Sequence, residues 1–234
     1  YFYPENYTAL FLIAFAPGLI AVALTYFLKD KNLSNDTSVK GKNFFSFLSY
    51  WRVSTKEYKK LIVGLLFFTL MNSSDVFLLL MIKHTGYTDT AVIAAYIFYN
   101  FVYALASYPM GIAADKLGLK NILIVGLVLF AVVYAGMSFG PSLPVIFSLF
   151  FIYGIYAAST ESVSKAWITN ISRKEDSATA LGLYNSFSSI FTMLASFSAG
   201  LLWSIFNPSV TFLVSALGAV VCALYFKSMK IKYN

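Results

Sequence analysis

The chain has few of the side chains from which soluble active sites are built. Its 234 residues include one cysteine, Cys222, and one histidine, His84. A single cysteine excludes an internal disulfide and a cysteine-based zinc cluster. A single histidine excludes a multi-histidine metal site and argues against triad chemistry. Charge is also scarce, at 12% Asp, Glu, Lys and Arg, against roughly a quarter in an ordinary soluble domain. No G-x-x-x-x-G-K-[ST] loop occurs, so an ATP motor has no support. Tyr1 opens the sequence with neither a methionine nor a basic leader. No signal peptide is therefore read, and the expectation is a sequence that starts inside a longer protein.

Apolar surface, by contrast, is abundant. Hydrophobic residues make up 59% and aromatics 18%, with a mean hydropathy of +0.73. A soluble globule of this size cannot bury so much, and disorder is excluded for the same reason. The net charge is +7, but the basic residues sit between long apolar runs, which points to a bilayer as partner and not to nucleic acid. A bilayer core takes about 20 apolar residues per helix. Seven spans are expected: Leu10–Leu28, Leu61–Ile82, Ala91–Ala114, Ile122–Phe139, Leu143–Ile171, Ala178–Phe206 and Val210–Phe226. Continuous runs favour helices over a barrel. The fold class expected is an all-α integral membrane protein.

Basic residues set the orientation. With the C-terminus in the cytoplasm, 15 of the 17 Lys and Arg fall in segments 29–60, 115–121, 172–177 and 227–234. That asymmetry places Tyr1 outside. The expected organisation is a lone helix over 1–28, a basic linker over 29–60, a six-helix bundle over 61–228 and a tail over 229–234. Within the linker, Phe44, Phe45, Phe47, Leu48, Tyr50 and Trp51 precede Arg52, Lys56, Lys59 and Lys60. Aromatics followed by cations suit a segment in the membrane interface, or a loop that only enforces topology. Small residues Ala178, Gly182, Ser186, Ser189, Ser196 and Gly200, and the pair Gly136 and Gly140, are candidates for close helix contact. Pro17 and Pro109 are candidate bends.

Between the third and fourth spans stands Gly111-Ile-Ala-Ala-Asp115-Lys116-Leu-Gly118-Leu-Lys120. Gly111 permits close helix approach, and Gly118 a tight turn between antiparallel spans. Asp115 is an anion at a helix boundary, and Lys116 and Lys120 anchor the loop on the cytoplasmic side. This segment resembles the G-x-x-x-D-[RK]-x-G-x-[RK] loop of the major facilitator superfamily of secondary transporters. One helix, a long basic linker and six closely spaced helices resemble that family's sixth helix, central loop and C-terminal half. Ser159–Trp167 and Leu183–Trp203 resemble its tenth and eleventh helices in bacterial members. The resemblance implies a missing N-terminal half of five helices, a plasma-membrane location, no cofactor and no enzymatic activity.

Charge in hydrocarbon costs several kcal/mol and marks candidate function. Three such residues occur: Asp75, Glu161 and Lys165. Glu161 and Lys165 are four apart on one helical face, either as a self-neutralised pair or as part of a gate or cavity. Asp75 has no charged partner within a turn and shares its face with Asn72; it is a candidate proton carrier or a hydrogen-bonded structural carboxyl. Asn72, Asn100, Tyr153, Tyr156 and Asn185 are candidate cavity-lining residues, with Tyr103 and Tyr184 as further polar positions. His84 beside Lys83 is read as a surface residue. By resemblance, Asp75 falls on the family's seventh helix and Glu161 and Lys165 on its tenth, the leading helices of two three-helix repeats. The function expected is secondary active transport of a small solute or drug by alternating access, driven by a proton or other cation gradient, with efflux preferred. A seven-helix receptor or photoreceptor is the alternative, weakened because the last span has no lysine for a Schiff base. An inert membrane fragment is another.

Overall fold

A computed structural model describes residues 46–229, together with residues 15, 17–20 and 22–24. The latter are helical and belong to the first of two units, 1–43 and 44–234. The expected span Leu10–Leu28 is therefore described only in part, and most of the linker and tail lie outside the described residues.

The second unit is a helical bundle. A short helix α1 (Ser46–Val53) leads into α2 (Lys56–Met71) and α3 (Val76–His84), followed by α4 (Asp89–Leu117), α5 (Leu119–Met137), α6 (Leu143–Ile171), α7 (Ser177–Ile205) and α8 (Pro208–Ser228). A 3-10 turn, Lys174–Asp176, precedes α7. With α2 and α3 taken as one 29-residue stretch, six segments are long and apolar enough to cross a membrane. Local chemistry sets their ends. Thr55, Thr88 and Asn207 accept from the backbone N–H three residues on, the bond that an N-cap side chain supplies. Pro144 and Pro208 sit in first turns, where their missing N–H costs nothing. Gly118 alone joins α4 to α5, with φ at +90°, a conformation that favours glycine.

The core is centred on α6, which packs against α4 and α5, while α5 packs against α8. Trp167, Phe150 and Ile168 of α6 are buried with Phe130 and Tyr134 of α5 and Phe212 and Phe226 of α8. The outside is apolar too. On α4, Ile93, Ile97, Phe101, Leu105 and Tyr108 form a line of exposed hydrophobics at helical spacing. Such a face is untenable in water and normal against lipid or another transmembrane segment.

The glycines differ in use. A Cβ on Gly126 would lie 2.5 Å from Thr160 Cγ2, on Gly136 2.8 Å from Leu149 Cδ2, and on Gly154 2.7 Å from Val102 Cγ1. Gly136 thus makes one half of the expected small-residue contact, whereas Gly140 serves a turn at φ +60°. On α7, Gly182 meets nothing within 4 Å, so the expected stripe of close contact does not form there among the described residues. Gly111 also faces open space, contrary to the close approach expected of it. Pro109 lies inside α4, which continues past it.

One further expectation changes. The span expected over Leu61–Ile82 is broken at residues 72–75. Asn72, Ser73, Ser74 and Asp75 offer four side chains in succession that compete with the helical ladder. Of the aromatic linker segment, Phe47–Trp51 fall within α1, which packs on α7; Phe44 and Phe45 lie outside the described residues. Tyr50 meets Tyr58 edge-on at 5.2 Å, and Arg52 and Val53 are exposed.

Two long-range contacts tie chain segments together. Tyr58 donates its buried hydroxyl to the Ala180 carbonyl at 2.8 Å. Tyr58→Phe is expected to cost about 1 kcal/mol, read as a lower thermal unfolding midpoint in detergent; an unchanged midpoint would show that the bond carries no net stability. Lys120 Nζ donates to the carbonyls of Lys227 at 3.1 Å and Met229 at 2.7 Å, placing a cation on the C-terminal end of α8 as the helix dipole favours. Lys120→Ala is expected to speed amide hydrogen exchange in the last turn of α8 while leaving α6 protected. Equal exchange in both proteins would remove this capping role.

Candidate functional site

A cavity of about 740 Å³ opens between the broken span, α4, α6 and α7. Its size falls in the range of small-molecule sites. The break between α2 and α3, in the first of the six membrane-length segments and called the first span from here on, supplies Asn72 and Asp75 to its wall. Asp75 sits at the N-terminal end of α3 and its side chain makes no cap hydrogen bond; the first N–H groups of the helix bond to Ser74 and to the Asp75 carbonyl, so the carboxylate meets only the positive end of the helix dipole. Tyr153 of α6 donates to Asp75 Oδ1 at 2.5 Å. Asn72 Nδ2 donates to the Tyr156 hydroxyl at 3.0 Å. Both tyrosines are buried, and their rings lie 5.1 Å apart.

One helical stripe on α6 continues the wall through Ala157, Thr160, Glu161, Ser164 and Lys165. Glu161 accepts from the Tyr103 hydroxyl of α4 at 2.7 Å. It forms no ion pair with Lys165; the ion pair among the described residues joins Lys83 and Asp89. The self-neutralised reading of Glu161 and Lys165 is thus replaced by a carboxylate held from a second helix and a lysine that faces the same cavity. The opposite wall comes from α7, through Tyr184, Asn185, Ser188, Ser189 and Thr192.

The structure brings Asn72, Asp75, Tyr153, Tyr156, Glu161, Lys165 and Asn185 to one cavity. Asn100 is not among its lining residues: its amide donates to the Tyr96 carbonyl at 2.8 Å, one turn back on α4. His84 is exposed and meets Trp203 edge-on at 6.0 Å. Of the loop residues, Gly118 makes the turn and Lys120 caps α8, whereas Gly111, Asp115 and Lys116 are exposed. None of the five lines the cavity. Sequence reasoning missed Tyr99, Thr160, Ser164, Ser188 and Thr192. A signal for most of them was present: polar residues recur at three- and four-residue spacing from Tyr153 to Lys165 and from Tyr184 to Thr192, the period of one helical face.

The described residues hold no group of three or more His, Cys, Asp and Glu side chains arranged for a metal ion. What the cavity offers is two carboxylates, one ammonium group, amides, hydroxyls and aromatic rings.

Comparison with known proteins identifies the lineage. The model of the Major Facilitator Superfamily matches residues 61–231. The chain belongs to this superfamily. An uncharacterised MFS-type transporter of Methanocaldococcus jannaschii is 32% identical over 225 residues, covering 94% of this chain and 55% of that protein. The chain spans about half the length of the curated relative it matches. The resemblance drawn from the Gly111–Lys120 loop is thereby the family's own, and the receptor alternative falls with it. As a member of the superfamily the chain is a multi-pass membrane protein whose helices α2–α8 form the matched region.

Proposed function

We infer that the chain forms the C-terminal, solute-facing half of a secondary active transporter. It moves a small solute or drug by alternating access, and the flux is driven by a proton or cation gradient. The observation that carries this reading is the cavity itself. Its two acids come from the leading helices of two successive helix triplets, α2–α3 with α4 and α5, and α6 with α7 and α8. Transporters built from inverted repeats place their sites between such helices near the bilayer midplane, and they use broken helices to do so. Each acid is held by a tyrosine from a neighbouring helix, so a change in its protonation or ligation alters a helix–helix contact.

In this reading the segment 29–60 links this bundle to a further helical half, which closes the other side of the cavity. The 55% coverage of the relative supports that arrangement. The distribution of Lys and Arg supports a cytoplasmic C-terminus and an outward Tyr1, and the family resemblance supports residence in the plasma membrane. Solute export by efflux is the preferred direction. Asp75 is the coupling carboxyl, with Glu161 and Lys165 lining the same pathway.

Proteoliposomes supply the test. The complete transporter is expected to accumulate solute only under an imposed gradient, and to lose that accumulation when an ionophore collapses it. This chain alone, lacking the second wall, is expected to accumulate nothing. Gradient-independent, ATP-dependent uptake by the complete protein would overturn the reading, as would vectorial uptake by this chain alone.

A further inference from the structure

The turn that splits the first span carries more oxygen than its own hydrogen bonds use. Asn72 N reaches back to the carbonyls of Phe68 and Thr69, and the next backbone donors, from Phe77 onward, bond to Ser74 and Asp75. The carbonyls of Leu70 and Met71, which Ser74 and Asp75 would satisfy in an unbroken helix, fall outside the ladder. At membrane depth such groups need a partner. Four side-chain atoms among the described residues share the condition, buried without a hydrogen-bond partner: Trp167 Nε1, toward the far end of α6, and three oxygens at or beside the turn, Asn72 Oδ1, Ser73 Oγ and the Tyr134 hydroxyl. Ser73 is 5% exposed and Tyr134 is fully buried. Tyr134 approaches from α5, its hydroxyl close enough to those of Ser73 and Tyr153 to interact with both, yet making no well-formed hydrogen bond to either. Its ring lies 6.4 Å from that of Tyr153, which bonds Asp75.

The donor set defines a ligand. All the uncommitted atoms at or beside the turn are hard oxygens, and the turn adds one carboxylate. The charge acting on Asp75 from across the cavity is that of Glu161, also an acid. Divalent calcium and magnesium sites draw on more anionic or more rigid oxygen cages, and soft metals want nitrogen or sulfur. A single carboxylate among neutral oxygens suits a monovalent inorganic cation. The negative dipole end of α2 points into the same turn, and unwound carbonyls with half-helix C-terminal ends are the groups that hold such ions in broken membrane helices. We propose that the Asn72–Asp75 turn binds one monovalent cation, with Na+ as its probe, through Asp75, Asn72 Oδ1 and Ser73 Oγ, with the Tyr134 hydroxyl closing the site from α5. This rests on and deepens the coupling role given to Asp75. Binding is read at equilibrium without transport, so either reading can fail while the other stands.

The chain in nanodiscs of zwitterionic lipid supplies the test. NaCl is exchanged for choline chloride at constant ionic strength, with two readouts: bound radioactive Na+ and the intrinsic tryptophan fluorescence, to which Trp203 contributes from 5.8 Å of Phe77 at the start of α3. The expected result is saturable binding of one Na+ per chain, with a fluorescence change that choline does not produce. Ser73→Ala is expected to raise the half-saturating Na+ concentration about tenfold or more. Tyr134→Phe keeps the ring stacked on Phe130 and is expected to weaken binding in the same direction; it decides the matter if Ser73→Ala fails to fold. Asn100→Ala, whose amide serves its own helix, is expected to bind as the parent does. The proposal is overturned if the parent chain shows no saturable Na+ binding, as it would if a water molecule filled the turn. It is equally overturned if choline gives the same fluorescence change, or if every folded variant among Ser73→Ala and Tyr134→Phe binds Na+ with parental affinity.

Discussion

Asp75→Asn in the complete transporter is expected to reduce gradient-driven accumulation to the level of passive leak while changing equilibrium solute binding by no more than about threefold. Asp75 ends the break in the first span and receives the Tyr153 hydroxyl at 2.5 Å. Asparagine keeps the volume and can still accept that hydrogen bond, so the fold and the shape of the cavity survive. What it loses is the negative charge and the ability to take up a proton or an ion. A group needed only to shape the cavity would tolerate the change in both assays; a group that couples flux to a gradient fails in one of them. Solute counterflow separates the two, since exchange down a solute gradient needs no coupling ion. Retained counterflow with lost accumulation is the expected pattern. Full driven accumulation by Asp75→Asn would remove Asp75 from the coupling role. Tyr153→Phe, which deletes the donor and leaves the acid, is expected to give the same pattern in weaker form.

Gly154→Val is expected to be more damaging than the same change at Gly218, Gly182 or Gly111. A Cβ there would lie 2.7 Å from Val102 Cγ1 and 3.0 Å from the backbone nitrogen of Tyr103. Val102 is β-branched and stiff at χ1, and a backbone atom in a helix cannot step aside. The clash would prise α6 from α4, the pair bridged by Tyr103 and Glu161. Overpacking of this kind costs about 1–3 kcal/mol, or roughly 2–4 °C of unfolding midpoint per kcal/mol for a domain of this size. Loss of the Tyr103–Glu161 bond adds to it. Gly218→Val looks more crowded on distance alone, with Met71 Cγ at 2.3 Å, but methionine is flexible and yields more cheaply. Gly182→Val and Gly111→Val meet open space and are expected to stay within about 0.5 kcal/mol of the parent. Thermal unfolding of all four in one detergent provides the ranking. Gly154→Val unfolding at the same temperature as Gly182→Val would show that the α4–α6 contact is looser than its distances imply.

These two predictions rest on facts of different legibility. The spans were readable because hydropathy is a property of contiguous residues: Leu143–Ile171 coincides with α6, and the other boundaries of the bundle shift by a few residues. The turn at Gly118 was readable because positive φ selects glycine locally. The presence of acid in the apolar runs needed no structure either, since a charge among apolar residues is conspicuous in one dimension.

The tertiary structure alone decided what each of those residues touches. Asn100 and Tyr99 are neighbours in sequence, yet Tyr99 lines the cavity and Asn100 bonds its own helix, because helix rotation is set by packing against α6. Lys120 belongs by sequence to a loop and by contact to the end of α8, 107 residues away from Lys227. Glu161 has Lys165 one turn ahead and chooses Tyr103, 58 residues away, because the bundle delivers that hydroxyl to the acid and no such bond is specified by spacing along one helix. The sequence by itself determined that this chain crosses a membrane many times and carries acids inside it, since both follow from local transfer free energy. Which acid meets which tyrosine, and that the first span breaks where Asp75 can face a cavity, came from helices packing against one another, an energy that no single segment contains.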